Sequence, residues 1–450
     1  MNKWPDGFLQ SIDGLPGFDE DSFRKAHEVV PPVSVRLHPL RGAGLFPDVP
    51  VIPWEPQGRY LPQRPVFALD PLWHAGAYYV QEASSMLAGW AFDALFPQKA
   101  GLRVLDLCAA PGGKSTHLAA LLPPDSLLVS NEVIRTRAGI LTENATRWGY
   151  ANHWVSSNDP TAFARLPQFF DCLVIDAPCS GSGLFRKDPD AMTEWSPEAV
   201  QLCAQRQQRI LHDAWPALKP GGIVIYATCS YSFEEDEAVV DSFCTETGAE
   251  PVLLTPETSW GAVPVQTTGG VLGFRCYPDQ VRGEGFFLAA FRKPVTPTEP
   301  ARKGKKSSSA HDATLWNKAS HLLSGSDWVC IPDGKNARAL PAFLEADWQQ
   351  LKHVVYLRRA GIEVGMPGAK EWIPDHALAA AVDLNPSVPA VALSLEAAHR
   401  YLRCEDPGID PPQQGWLLAT YEGRPLGWMK AVKGRINNYL PRHLRLRLRG

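Results

Sequence analysis

Two cysteines stand where a thiol could do chemistry on carbon. Cys179 lies in Val174-Ile-Asp-Ala-Pro-Cys-Ser-Gly-Ser-Gly183, where the apolar run from Cys172 to Ile175 gives way to a carboxylate (Asp176), a rigid Ala-Pro step, the thiol and small residues. Cys229 ends Ile223-Val-Ile-Tyr-Ala-Thr-Cys-Ser230, a second run on the same plan. Each reads as a buried strand opening into a loop at the sheet edge where α/β proteins bind ligands. A thiolate added to C6 of cytosine shifts electron density to C5, which can then take a methyl group from a sulfonium. A carboxyl group at N3 favours the addition, and a base must remove the C5 proton afterwards. Asp176 suits N3, one cysteine the attack and the other the elimination. The residues themselves do not rank the two thiols. Cys172, Cys203 and Cys244, on apolar strand or helix faces, read as small core hydrophobes.

A second constellation would hold the sulfonium. Arg103-Val-Leu-Asp-Leu-Cys-Ala-Ala-Pro-Gly-Gly-Lys-Ser115 predicts a strand, a small-residue loop and a helix. Its glycines let backbone N–H groups approach a ligand at a helix N-terminus. Glu132, at the end of the next strand, can hold both hydroxyls of a ribose. Asp159, after the third, can face an adenine edge or cap a turn in Asn158-Asp-Pro160. A Gly-rich turn with such an acid serves NAD and S-adenosylmethionine folds alike. Lys114, in a loop without the G-x-G-x-x-G pattern, suits a carboxylate better than a pyrophosphate.

The elements needed to position these groups alternate. Strands are predicted at Val104–Cys108, Leu127–Ser130, His153–Ser156, Cys172–Ile175 and Ile223–Ala227. Helices are predicted at Leu87–Phe96, Lys114–Leu122, Ile134–Trp148 and Glu234–Cys244. Another begins with Ser196 as N-cap and Pro197 in its first turn, and ends at Lys219-Pro-Gly-Gly222. A hairpin, Val271–Cys276 with Phe286–Phe291, follows. Alternation with short connections means a doubly wound, mainly parallel, Rossmann-like α/β sheet. Before it, residues 1–75 form a small α/β module in which Val33, Val35 and Leu37 alternate with Ser34, Arg36 and His38 as a half-buried strand. The expected domains are 1–75, 76–295, a Pro/Lys/Ser linker at 296–311, a small module at 312–385 and a last one at 386–450. Val354–Arg359 reads as an amphipathic piece of the fourth.

The 450 residues are 45% hydrophobic and 20% charged, a globular composition. No apolar run approaches ~18 residues and no signal segment opens the chain, so a cytoplasmic, membrane-free location is expected. Nine cysteines without C-x-x-C fit reduced thiols and no metal site. Net charge is −4, yet Lys430, Lys433, Arg435, Arg442, Arg445, Arg447 and Arg449 follow one another without an acid, and Arg302–Lys306 is a second basic cluster. Such clusters point to RNA or to a solvated face.

Gln81-Glu-Ala-Ser-Ser85, Asp106–Lys114, Asp176–Gly183 and Tyr226-Ala-Thr-Cys-Ser230 together resemble the Nol1/Nop2/Sun family of RNA cytosine-5 methyltransferases. Gly427-Trp-Met-Lys430 and Arg435–Pro441 resemble its bacterial members that act on 16S ribosomal RNA. The resemblance implies S-adenosylmethionine wrapped by Cys108, Ala109, Ala110, Pro111, Gly112, Gly113 and Lys114, with Glu132 on the ribose, Asp159 on the adenine and Asp176 between cofactor and base. It implies Cys229 as nucleophile and Cys179 as the thiol assisting release. A PUA-like C-terminal module, an RNA substrate (16S rRNA or the 30S subunit), no DNA and a monomer are implied too. Arg186, Lys187 and Trp195 are expected to face RNA, with a core position the alternative for Trp195. His38, where the family commonly has Asn, puts an RNA contact there in doubt. Two other readings are a transfer-RNA methyltransferase and a catalytically silent ribosome assembly factor.

Overall fold

The computed structural model describes residues 4–98, 100–295, 313–325, 327–369 and 371–448. Five parallel strands sit at its centre in the order His153–Ser156, Leu127–Asn131, Arg103–Asp106, Phe170–Asp176 and Leu218–Thr228. Phe286–Arg292 continues the sheet antiparallel to Leu218–Thr228, with Leu272–Cys276 beyond it as the predicted hairpin. The central strands are continuous apolar runs because both faces are covered. Val104, Leu128 and Cys172 enter a core with helices Leu87–Leu95 and Gly113–Leu121. Their neighbours Leu105, Val129 and Leu173 enter the opposite core, with Pro197–Ala214 and Glu237–Thr247.

Ser196 caps the long helix, accepting from the Ala199 amide, with Pro197 in the first turn as the sequence predicts. Lys219–Gly222, however, does not end that helix. The helix stops at Ala214, and Lys219–Gly222 already runs in the strand, paired through the Gly221 and Lys293 main chains.

The N-terminal sheet, in the order Val51–Ile52, Glu55–Leu61, Val33–Leu37 and Tyr78–Val80, corrects the half-buried reading of its middle strand. Ser34, Arg36 and His38 are all buried. Arg36 stacks over Trp148 and donates to Gln81, Thr116 and the Gly113 carbonyl, so the polar face of the strand braces the catalytic domain. His38 is bonded to the Trp148 carbonyl through Nε2, and the amides of Leu40 and Arg41 donate to its Nδ1. It is an internal brace with no face toward RNA.

Beyond residue 312, two further sheets form, Trp328–Ile373 and Ala390–Asn438. Leu357–Arg359, expected in a separate module, instead pairs antiparallel with His153–Ser156 and extends the central sheet. Alternation alone could not reveal this, because the partner strand is distant in sequence. The 302–306 cluster and Arg449 lie outside the described residues. No described helix is long and apolar enough to cross a membrane.

Candidate active site

The loop after Arg103–Asp106 is held from behind. Ala109 N–H donates to the Asn131 carbonyl (2.9 Å), Arg137 to the Ala110 carbonyl (2.8 Å) and Asn144 to the Pro111 carbonyl (2.8 Å). Gly112 takes φ +115°, a left-handed conformation that Cβ-bearing residues rarely adopt, and the helix Gly113–Leu121 starts from it. Its first amides, as at any helix start, have no intrahelical carbonyl to donate to. Asp106, which the sequence reading did not single out, is fully buried and receives Ser115 Oγ at 2.6 Å on one oxygen. The other oxygen has no protein partner. Burial pushes Asp106 up to about 7, the nearby Asp176 adding to the effect. A carboxylate at the end of a strand entering a Gly-rich loop was the available signal.

Glu132 is buried; its Oε1 accepts from the Ile134 amide and its Oε2 lies 3.4 Å from Arg137. Asp159 is exposed and does cap the turn Pro160–Arg165, its Oδ1 accepting from the Thr161 amide and hydroxyl. Burial pushes the Cys108 thiol well up, with Asp106 and Asp176 adding to it.

The thiols come together at the ends of adjacent parallel strands, where Asp176 pairs in register with Ala227. Cys179 Sγ and Cys229 Sγ are 3.2 Å apart. Asp176 Oδ2 holds Lys114 Nζ at 2.8 Å, so cofactor loop and thiol loop meet at one ion pair. Although burial opposes it, Asp176 keeps the Lys114 ammonium above its ordinary value. The hydrogen bond with Cys229, then burial, pushes the Cys179 thiol well up.

The two thiol loops are bonded to each other directly, Gly183 N–H to the Cys229 carbonyl and Tyr231 N–H to Ser182 Oγ (both 2.9 Å), and Glu235 ties them a third time. Its carboxylate accepts from Ser180 N and Ser180 Oγ (both 2.6 Å) on one loop and from Ser230 Oγ (2.6 Å) on the other. Each serine directly follows a cysteine. Gln207, on the long helix, donates to the Pro178 carbonyl at 3.1 Å. The run Glu235-Asp236-Glu237 looks like the acidic start of a helix, but all three are buried. Asp236 and Glu237 pair with buried Arg275. The helix begins at Glu237, not Glu234.

The loop past Cys179 departs from expectation. Arg186 is buried against Glu284 (2.9 Å) and does not reach out for phosphate, whereas Lys187 is exposed. Trp195 is core, edge-on to Phe8 at 5.3 Å. Of the three cysteines read as core hydrophobes, Cys172 and Cys244 are buried, while Cys203 is half-buried.

Three family models match this chain. That of the 16S rRNA methyltransferase RsmB/F covers residues 93–292, the N-terminal domain of 16S rRNA methyltransferase RsmF residues 4–83, and the methyltransferase RsmF PUA domain residues 388–446. The ribosomal RNA small subunit methyltransferase F of Salmonella newport is 32% identical over 98% of this chain and 96% of its own. The chain belongs to the RsmF family. The Serratia proteamaculans member is 33% identical, covering 82% of this chain and 78% of its own. A solved methyltransferase homolog protein from Pyrococcus horikoshii shares the fold with a TM-score of 0.51 at 29% identity, over 60% of this chain and 90% of that one. As an RsmF-family protein the chain is an S-adenosylmethionine-dependent methyltransferase. The loop fits that cofactor: a left-handed glycine opens it, and a buried carboxylate oxygen of Asp106 is left without a partner.

Proposed function

We propose that the chain methylates C5 of cytosine in 16S ribosomal RNA, with Cys229 as nucleophile. The observation that carries this reading is the pair of thiols 3.2 Å apart beside the Asp176–Lys114 ion pair. S-adenosylmethionine, held by Cys108–Lys114, Glu132 and Asp159, supplies an electrophilic methyl group. Cys229 as thiolate bonds to C6 and pushes the π pair toward C5, while a proton shared between Asp176 and N3 neutralises the ring. C5 takes the methyl group as the sulfonium C–S bond breaks and its electron pair stays on that sulfur; the C5 hydrogen then leaves to a base and the N3 proton returns to Asp176. As the C5–H pair restores the C5–C6 double bond, the C6–S bond breaks and Cys229 departs as thiolate. Cys179, as the thiol, donates a hydrogen bond to that leaving sulfur.

Methyl transfer and covalent RNA adduct, measured in Cys229→Ala and Cys179→Ala, test the roles. The first variant should lose both, and the second should accumulate adduct. The reverse result would make the Pro-Cys thiol the nucleophile. The protein acts as a cytoplasmic monomer on RNA and not DNA, with its modules at 1–75, 312–385 and 386–450 contributing to RNA binding. Bisulfite sequencing of ribosomal and transfer RNA from cells with and without the gene separates the 16S substrate from a transfer-RNA one.

A further inference from the structure

Away from the thiols, a cleft of about 540 Å³ runs where the N-terminal module, the helix Arg135–Trp148 and both C-terminal sheets meet. Arg147, Arg358, Arg445 and Arg447 line it. Among the described residues, none of these four side chains is ion-paired or hydrogen-bonded, and Arg358 Nε is buried without a partner. The acids facing them are Glu143, Asp375 and Glu363. Glu363 is engaged by Arg338 (3.5 Å), and burial raises Asp375 to about 6. His74 and His376 are each held down to about 4, by burial first and with Arg147 contributing. The cleft therefore carries more guanidinium than carboxylate charge, and no described acid in it closes an ion pair with any of the four arginines.

A second hollow, of about 640 Å³, adjoins the first and shares Ala68 and Trp73 with it. Arg147 lies flat over Trp73 at 4.1 Å on the boundary. The second hollow ends at Tyr79 and Asn144, and Asn144 is the residue bonded to the Pro111 carbonyl of the cofactor loop. Arg64 lines this part. A basic groove with aromatic side chains along its floor is what a single-stranded polyanion with stackable bases requires.

We propose that these two hollows form one track for a single-stranded segment of the RNA substrate, entering past Arg358, Arg445 and Arg447, crossing Trp73 and reaching the mouth beside Asn144. The proposal rests on the RNA methyltransferase reading. It adds the route by which the strand arrives and gives the unpaired arginines phosphates to neutralise. The helix Arg135–Trp148 serves both ends: it carries Arg147 in the cleft and Asn144 at the cofactor loop.

The test uses the full chain and a fluorescent 16S rRNA fragment, with affinity measured across a series of salt concentrations. The triple variant Arg358→Gln/Arg445→Gln/Arg447→Gln should lower the salt slope by about 2 and weaken binding about 10-fold or more at fixed salt. Its S-adenosylmethionine affinity should stay at the wild-type level. A control triple outside both hollows, Lys25→Gln/Lys335→Gln/Lys352→Gln, should change the slope less. Photo-crosslinked RNA should map to peptides holding Trp73 or Tyr79. An unchanged slope, an equal effect of the control, or crosslinks confined to another face would overturn the track. So would tight binding of inorganic phosphate in the cleft without any effect of the triple variant on RNA. Wild-type protein that fails to methylate small-subunit RNA would instead sink the functional reading, a separate outcome.

Discussion

The cofactor loop and the thiol loops meet at Lys114 and Asp176, yet they are built in different ways. On the cofactor side, Gly112 and a short stretch of main chain do most of the shaping, and neighbouring side chains hold its carbonyls from behind. On the thiol side, two loops from separate strands are bonded to each other and to one buried carboxylate, Glu235, which accepts from a serine on each. A site made by local backbone should tolerate change outside its own motif. A site that also leans on a side chain outside both cysteine motifs should tolerate it less.

That contrast can be broken or sharpened by measurement. Cys229→Ala should abolish turnover, a loss of about 10⁴-fold or more. Glu235→Ala, which touches no substrate, should lower kcat about 100-fold through misplacement of the thiols, leaving S-adenosylmethionine affinity unchanged by calorimetry. Glu235→Gln, which keeps the shape and loses the charge, should recover part of that loss; equal damage in both would mean simple misfolding. Gly112→Ala should do the opposite, weakening cofactor binding about 10-fold with a smaller effect on adduct formation, because an added Cβ there would be strained and meet Leu141 at 3.1 Å.

The smallest expected effect concerns stability. Asp106 releases its proton at about 7 in the folded protein against 3.8 unfolded. Between those values the folded state holds a proton that the unfolded state has lost, so this group lowers stability as pH rises from 3.8 to about 7. Asp106→Asn should flatten that slope in thermal melts, and an unchanged pH profile would count against burial as the cause.

Much of the catalytic half was legible because its signals are local. The strand–loop–helix at Arg103–Ser115, the strands leading to Cys179 and Cys229, and the Ser196–Pro197 helix start all declare themselves within a few residues. Glu235 could not be found that way. An acid ahead of a helix has an ordinary explanation in the helix dipole, and nothing nearby shows that its partners follow the two cysteines. Arg36 and Arg186 misled for a related reason: polarity in a strand or loop suggests solvent, but each meets its partner from a different part of the chain, whereas for Trp195 the core alternative is the one that holds. Leu357–Arg359 was read as part of its own module because strand pairing across two hundred residues leaves no periodic trace.

That last strand has a mechanical consequence. Besides its pairing with His153–Ser156, Tyr356 bonds to Ser157 and Asn158, Arg359 donates to the carbonyls of His153 and Tyr150, and Arg103 donates through Nε and Nη2 to the two oxygens of Asp347. A protease nick between residues 295 and 313 would therefore sever the covalent thread without parting the halves, which should travel together through gel filtration. Expressing the first half alone would strip a border strand from the platform beside Asp159 and leave its hydrogen-bonding groups open to self-association.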